Sequence, residues 1–179
     1  DGFRLDAVRH LYETGAGPGQ SDAPETFTFL RDFSAHVRSA KPGATLVGEV
    51  WADTATIARY YGSTAALPGG DVLPLLFDFP LADAIVQGVK AGNTAAVAAK
   101  LGDIALTYPR GAADAPFLTN HDQIRVATQF GGDPAGLRSA AAILLTLPGS
   151  PCLYYGEEIG MQNGPGGNDE WKRTPLAWD

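Results

Sequence analysis

Arg4 and Asp6 stand two residues apart in the opening run Gly2-Phe3-Arg4-Leu5-Asp6-Ala7, which reads as a strand. Side chains two apart on a strand share a face. A guanidinium and a carboxylate therefore lie side by side, while Phe3 and Leu5 face the other way. A charged pair in an otherwise apolar strand is costly unless something uses it. Two further acids stand where strand-like runs end: Glu49 in Gly48-Glu49-Val50-Trp51, and Asp122 in Asn120-His121-Asp122. Two carboxylates flanking one bond suit glycosidic cleavage. One attacks the anomeric carbon or stabilises positive charge there, and the other protonates the departing oxygen. Taken singly, Asp6 reads as the partner of Arg4, Glu49 as a solvated carboxylate, Asp122 as a turn cap and His121 as a packed imidazole. Three acids at three strand ends, with Arg and His beside them, favour chemistry.

The elements that must position these residues alternate. Strand-like runs cover residues 2–7, 44–51, 73–79, 115–120 and 151–155. Helical runs lie between them. Residues 25–40 place Phe27, Leu30, Phe33 and Val37 on one side, and residues 53–61 start at Asp53 as N-cap. Residues 81–90 and 93–108 are alanine-rich, and residues 134–147 are apolar on most sides and so should be well covered. The tail, 156–179, is rich in Gly, Asn and Pro and reads as loop. Strand–helix alternation implies parallel strands with helices packed outside. The strand ends then share one face, where barrel enzymes place their active sites. An open nucleotide-binding sheet would show a Gly-rich phosphate turn. Neither G-x-G-x-x-G nor G-x-x-x-x-G-K-[ST] occurs in the chain.

With 179 residues, 45% hydrophobic and 18% charged, the composition is that of an ordinary globular domain. The formal net charge of -7 argues against a nucleic-acid partner and against an anionic membrane surface. No apolar run approaches the roughly 20 residues of a membrane-spanning helix. Cys152 is the only cysteine, which excludes an internal disulfide.

The motifs together resemble the α-amylase family of glycoside hydrolases. DGFRLDAVRH is similar to the signature of that family's fourth barrel strand, and Gly48-Glu49-Val50-Trp51 to its fifth. Phe117-Leu118-Thr119-Asn120-His121-Asp122-Gln123 is similar to its seventh. The run Pro148–Met161 (PGSPCLYYGEEIGM) resembles its eighth strand and loop, and Lys172–Asp179 (KRTPLAWD) also matches, with Leu176 where the family more often has Met. The fold implied is α/β, the C-terminal part (about strands 4–8) of a (β/α)8 TIM barrel. Residues 1–179 would form one partial catalytic domain, with the earlier strands, an inserted small domain and a C-terminal β-domain outside it. A full barrel takes about 250 residues, and an unclosed one leaves sheet edges open. This segment alone is therefore expected to be inactive and poorly soluble.

The resemblance also implies roles. Asp6 would be the nucleophile of a retaining reaction, with Arg4 favouring its charged form. Glu49 would be the general acid and then the general base. Asp122 would bind sugar hydroxyls and stabilise the oxocarbenium-like transition state, with His121 donating to the same sugar. Arg125, in the local pattern Asn-His-Asp-Gln-x-Arg, would be a further contact near the reacting sugar. Arg9 and His10 match a Lys-His pair on the leaving-group side, where the His10 backbone carbonyl would help bind Ca2+, most of whose ligands lie upstream. Trp51 would stack on a sugar ring or pack at the rim. Ala7, a small residue after the nucleophile, resembles enzymes of α-1,4 links. The expected partner is an oligo- or polysaccharide such as starch or maltodextrin. The expected activity is hydrolysis; alternatives are a transglycosylase or isomerase on the same machinery, or a non-catalytic barrel ectodomain, against which the complete carboxylate set argues.

Overall fold

A computed structural model describes residues 2–65, 67–176 and 178; Asp1 of the opening motif and Ala177 and Asp179 of the closing one lie outside the described residues. The chain forms two compact units, Asp1–Phe79 with Asp103–Ala115, and Pro80–Gly102 with Pro116–Asp179.

The first unit holds a four-stranded sheet, β1 (Gly2–Leu5), β2 (Thr45–Gly48), β3 (Leu75–Phe77) and β4 (Ala113–Ala115), in that spatial order. All three pairings are parallel. Parallel neighbours need long crossovers. The first is α1 (Pro24–Ala40), with Pro24 in its first turn, where a missing N–H costs nothing. It buries Leu30 and Val37, and the Ser34 hydroxyl donates to the Val72 carbonyl. The second crossover contains α2 (Thr54–Tyr61), capped as expected by Asp53, whose carboxylate accepts from the Thr56 N–H at 2.7 Å. Leu30, Leu46, Ile57, Tyr60, Tyr61, Leu73 and Leu76 form the core around Val8 and Val50. Full burial of each Leu or Ile contributes about 1.5–3 kcal/mol.

Register settles what the strand ends carry. Leu5 pairs with Gly48, so the next residue on each strand is Asp6 on one and Glu49 on the other. Both strands stop earlier than the sequence suggests. After Leu5 the chain turns through Ala7 in a left-handed conformation (φ 43°) into a single 3-10 turn.

The remaining elements are α3 (Phe79–Lys90), α4 (Ala95–Thr107), α5 (Val126–Gln129) and α6 (Pro134–Thr146). The strand expected at 115–120 is β4 at Ala113–Ala115, and that expected at 151–155 is reduced to one parallel bridge, Phe117 to Cys152. Pro116 and Pro151 carry no N–H to extend a ladder, although the Pro116 carbonyl still accepts from the Cys152 N–H at 2.8 Å. Helix α6 was expected to be well covered, but only Ala140 and Leu144 are buried along it. An all-round apolar helix needs cover on every side, and the described residues of its unit leave Leu145, Leu153 and Ile159 half exposed. Among the described residues no helix is long and apolar enough to cross a membrane.

Candidate active site

In the first unit a single guanidinium joins the two carboxylates at the ends of β1 and β2. Arg4 Nη1 donates to Asp6 Oδ1 at 2.6 Å, and Arg4 Nη2 lies 3.1 Å from Glu49 Oε1. The other Glu49 oxygen, Oε2, accepts from the Ala7 N–H at 3.0 Å. Glu49 is thus buried and held at both oxygens, whereas Asp6 is open to solvent, its side chain 73% exposed. The left-handed turn at Ala7 aims this N–H. For an L-residue it costs about 1–2 kcal/mol, which the contact to Glu49 offsets in part. Gly48 supplies close packing just before Glu49: a Cβ there would lie 2.5 Å from Leu73 Cδ1 and 2.9 Å from Leu76 Cδ2.

Arg9 is engaged within its own unit rather than presented as a free cation. Its Nε and Nη2 donate to the two Asp22 oxygens at 3.0 and 2.6 Å, and its Nη1 donates to the Trp51 carbonyl at 2.9 Å. The Asp22 carboxyl is pulled below its ordinary range by the Arg9 hydrogen bond against the effect of burial, and Arg9 is correspondingly raised. The Tyr60 hydroxyl also donates to Asp22 at 2.6 Å. His10 Nδ1 donates to the Gln20 carbonyl at 2.9 Å. The Trp51 ring stacks on Phe79, centroids 4.7 Å apart and planes 14° from parallel, and remains 54% exposed. It is therefore packed on one side and open on the other.

In the second unit Asp122 is held at both oxygens. Arg173 Nη2 donates to Oδ1 at 2.6 Å, and His121 Nε2 lies 3.2 Å from Oδ2. Three residues before Asp122, the Thr119 hydroxyl donates to Glu157 Oε1 at 2.6 Å, and Glu157 Oε2 accepts from the Tyr154 N–H at 3.2 Å. Burial pushes the Glu157 carboxyl up to about 7, despite those hydrogen bonds.

Arg125, expected at the sugar, has no exposed surface. Its guanidinium lies 4.4 Å from the Tyr154 ring centroid and 4.6 Å from that of Tyr155, and its Nη1 donates to the Tyr155 carbonyl at 2.6 Å. Its Nε and Nη2 find no hydrogen-bond partner among the described residues. A desolvated cation–π contact is worth about 2 kcal/mol or more, so two rings take the place of water here. Arg125 packs beneath the Tyr154-Tyr155 run instead of facing a ligand.

Sequence reasoning placed Arg4, Asp6 and Glu49 correctly as neighbours. It missed Asp22 and Tyr60 on Arg9, Glu157 on Thr119, and Lys172 and Arg173 on His121-Asp122. The Lys172-Arg173 run was visible within a recognised motif, but no spacing in the chain says that it returns to a turn fifty residues earlier.

The family model described as the alpha amylase catalytic domain matches residues 1–179. Alpha-amylase 3 of Dictyoglomus thermophilum is 40% identical over 187 residues, covering 99% of this chain and 32% of the relative. A cyclomaltodextrinase of Geobacillus thermopakistaniensis is 32% identical over 183 residues, covering 100% of this chain and 26% of the relative. The crystal structure of α-amylase from H. orenii superposes with a TM-score of 0.84 at 39% identity, over 100% of this chain and 34% of that one. The chain thus spans about a third or less of the length of these relatives. Its parallel strands and helices are part of a (β/α)8 barrel. By sequence and by fold, the chain belongs to the α-amylase catalytic-domain family of glycoside hydrolases.

Proposed function

We propose that the protein to which this chain belongs hydrolyses α-1,4-glucosidic bonds in starch, maltodextrin or related glucans, with retention of anomeric configuration. The observation that carries this reading is the pair Asp6 and Glu49. They follow directly on the paired residues Leu5 and Gly48 of adjacent strands, with Arg4 in contact with both. One guanidinium, 2.6 Å from Asp6 and 3.1 Å from Glu49, keeps the two carboxyl groups near each other, as the short separation of a retaining pair requires.

In the first step an Asp6 oxygen attacks the anomeric carbon, and Glu49 gives its proton to the departing glycosidic oxygen. In the second, Glu49 takes a proton from water, and the hydroxide displaces Asp6. Glu49 Oε2 accepts from the Ala7 N–H and Oε1 pairs with Arg4. Arg4 and the Ala7 N–H orient it, while the solvent-open side of Asp6 leaves room for a sugar ring. In the second unit, Asp122 and His121 bind sugar hydroxyls, and Asp122 opposes the positive charge of the transition state. The exposed face of Trp51 supports a further ring.

Calcium in the full-length protein belongs to the same proposal through the His10 carbonyl. Ca2+ takes six to eight oxygens. Among the described residues no group of three or more His, Cys, Asp or Glu could hold a metal ion. No step of the chemistry runs through it. If calcium binds, chelation lowers the melting temperature of the full-length protein.

The test is Asp6→Asn in the full-length protein. Loss of a nucleophile lowers kcat by at least about 10⁴-fold, and unchanged activity would show the assignment to be wrong. NMR of the first product distinguishes retention, seen as the α anomer, from inversion. Chromatography of maltotriose digests separates hydrolysis from transfer, which would yield longer oligosaccharides.

A further inference from the structure

The His121-Asp122 turn is gripped by one short segment of the same unit. Arg173 reaches it twice, from Nη2 to Asp122 Oδ1 at 2.6 Å and from Nε to the His121 carbonyl at 3.1 Å. Lys172 Nζ donates to the Asp122 carbonyl at 2.9 Å. Asp169 joins the two cations. Its Oδ1 accepts from Lys172 at 2.8 Å, and its Oδ2 lies 3.6 Å from Arg173 Nη2. Both come from the 3-10 turn Asp169–Lys172 and the residue after it.

We propose that Lys172 and Arg173 act as a clip that orients Asp122 and His121 for the glycosyl transition state, with Arg173 as the positioning residue for the Asp122 carboxylate. The inference rests on the role assigned to Asp122 above. An isolated exposed ion pair contributes about 0–1 kcal/mol, so stability alone gives little reason for this arrangement. Its distinguishing feature is directional. The Arg173 guanidinium addresses the Asp122 carboxylate and the His121 carbonyl from two nitrogens held in one rigid plane, a fixed fork that a point-like ammonium does not reproduce. An ionised carboxylate offers about four lone-pair directions. Arg173 takes one on Oδ1, and His121 Nε2 lies 3.2 Å from Oδ2, so the group is restrained on both sides with directions left for sugar hydroxyls. Groups that stabilise a transition state must be held to within about 0.5 Å, and a 1 Å misplacement can cost about 100-fold in rate.

The experiment uses the full-length protein with maltotriose. Arg173→Ala lowers kcat about 100-fold while KM stays within about threefold, and millimolar guanidinium restores part of the lost kcat. Arg173→Lys, which keeps the charge and is the fallback if the alanine variant does not fold, still loses about tenfold in kcat. A rise in KM at unchanged kcat overturns the proposal and makes Arg173 a binding contact. Wild-type kcat in both variants overturns it too, as does a loss in a folded Arg173→Ala that guanidinium does not relieve. Asp122→Asn separates this from failure of the underlying reading. If it is inactive while Arg173→Ala is fully active, the clip alone is wrong; if it is fully active, the role of Asp122 falls and the clip with it.

Discussion

The Ala7 N–H donates to Glu49 Oε2 at 3.0 Å from a left-handed backbone conformation, φ 43°. A strained residue directly after one carboxylate thus orients the other. Strain of this kind persists only where the surroundings over-determine it. Here they do: the Val8 N–H donates to the Glu49 carbonyl at 3.2 Å, the Glu49 N–H donates to the Leu5 carbonyl at 3.0 Å, and Val8 is fully buried.

Arg4 is expected to matter through its fork as much as through its charge. In the full-length protein Arg4→Ala should lower kcat/KM by about 100-fold, the cost of losing the geometry of two reacting groups. Arg4→Lys should recover only part of this, since one ammonium cannot occupy the places of Nη1 and Nη2 together. Steady-state kinetics on maltotriose measure both; equal activity of Arg4→Lys and wild type would show that charge alone suffices.

Gly48 leaves no room for a side chain. A Cβ there meets Leu73 and Leu76, both fully buried. Gly48→Ala should therefore destabilise the protein by about 1–3 kcal/mol through overpacking and lower kcat by shifting Glu49, the next residue. A denaturant melt together with kcat tests this, and an unchanged midpoint would mean that the two leucines move aside freely.

Two buried acids favour their protonated forms. Asp114, in the first unit, is pushed up to about 8 by burial and then by nearby Asp78; its Oδ1 finds no hydrogen-bond partner among the described residues. Glu157, in the second unit, is raised by burial to about 7. Both titrate near 4 in an unfolded chain. From about pH 4 upward the folded state retains protons that the unfolded state has released. Stability contributed by these groups is therefore full at low pH and falls as pH rises through 7 to 8. Asp22 acts in the opposite sense and lower down, its lowered carboxyl losing stability as pH falls below about 4. Glu157→Gln keeps an acceptor for Thr119 and should remove a pH 5 to pH 8 loss on the order of 3 kcal/mol. Unfolding free energies of the full-length protein at the two pH values measure it; identical slopes in variant and wild type would contradict the assignment.

The sequence alone determined the alternation of strands and helices, the Asp53 cap and the strand-end placement of Asp6 and Glu49, whereas Asp122 lies in a turn beyond the end of β4. These follow from local periodicity, turn chemistry and motif, all carried by neighbouring residues. The same periodicity misjudged α6, because a run of apolar residues shows that a helix wants cover but not whether neighbours provide it. It also overextended the strands, because ladder length depends on a partner's register and on Pro116 and Pro151. Only the tertiary structure decided that Arg4 reaches Glu49 as well as Asp6, since that contact depends on the pairing of Leu5 with Gly48 across forty-odd residues. It likewise decided that Arg125 is buried against Tyr154 and Tyr155 and that Arg173 is the cation on Asp122. Long side chains choose partners by distance in space, and residues far apart in a sequence carry no local signal of where the chain returns.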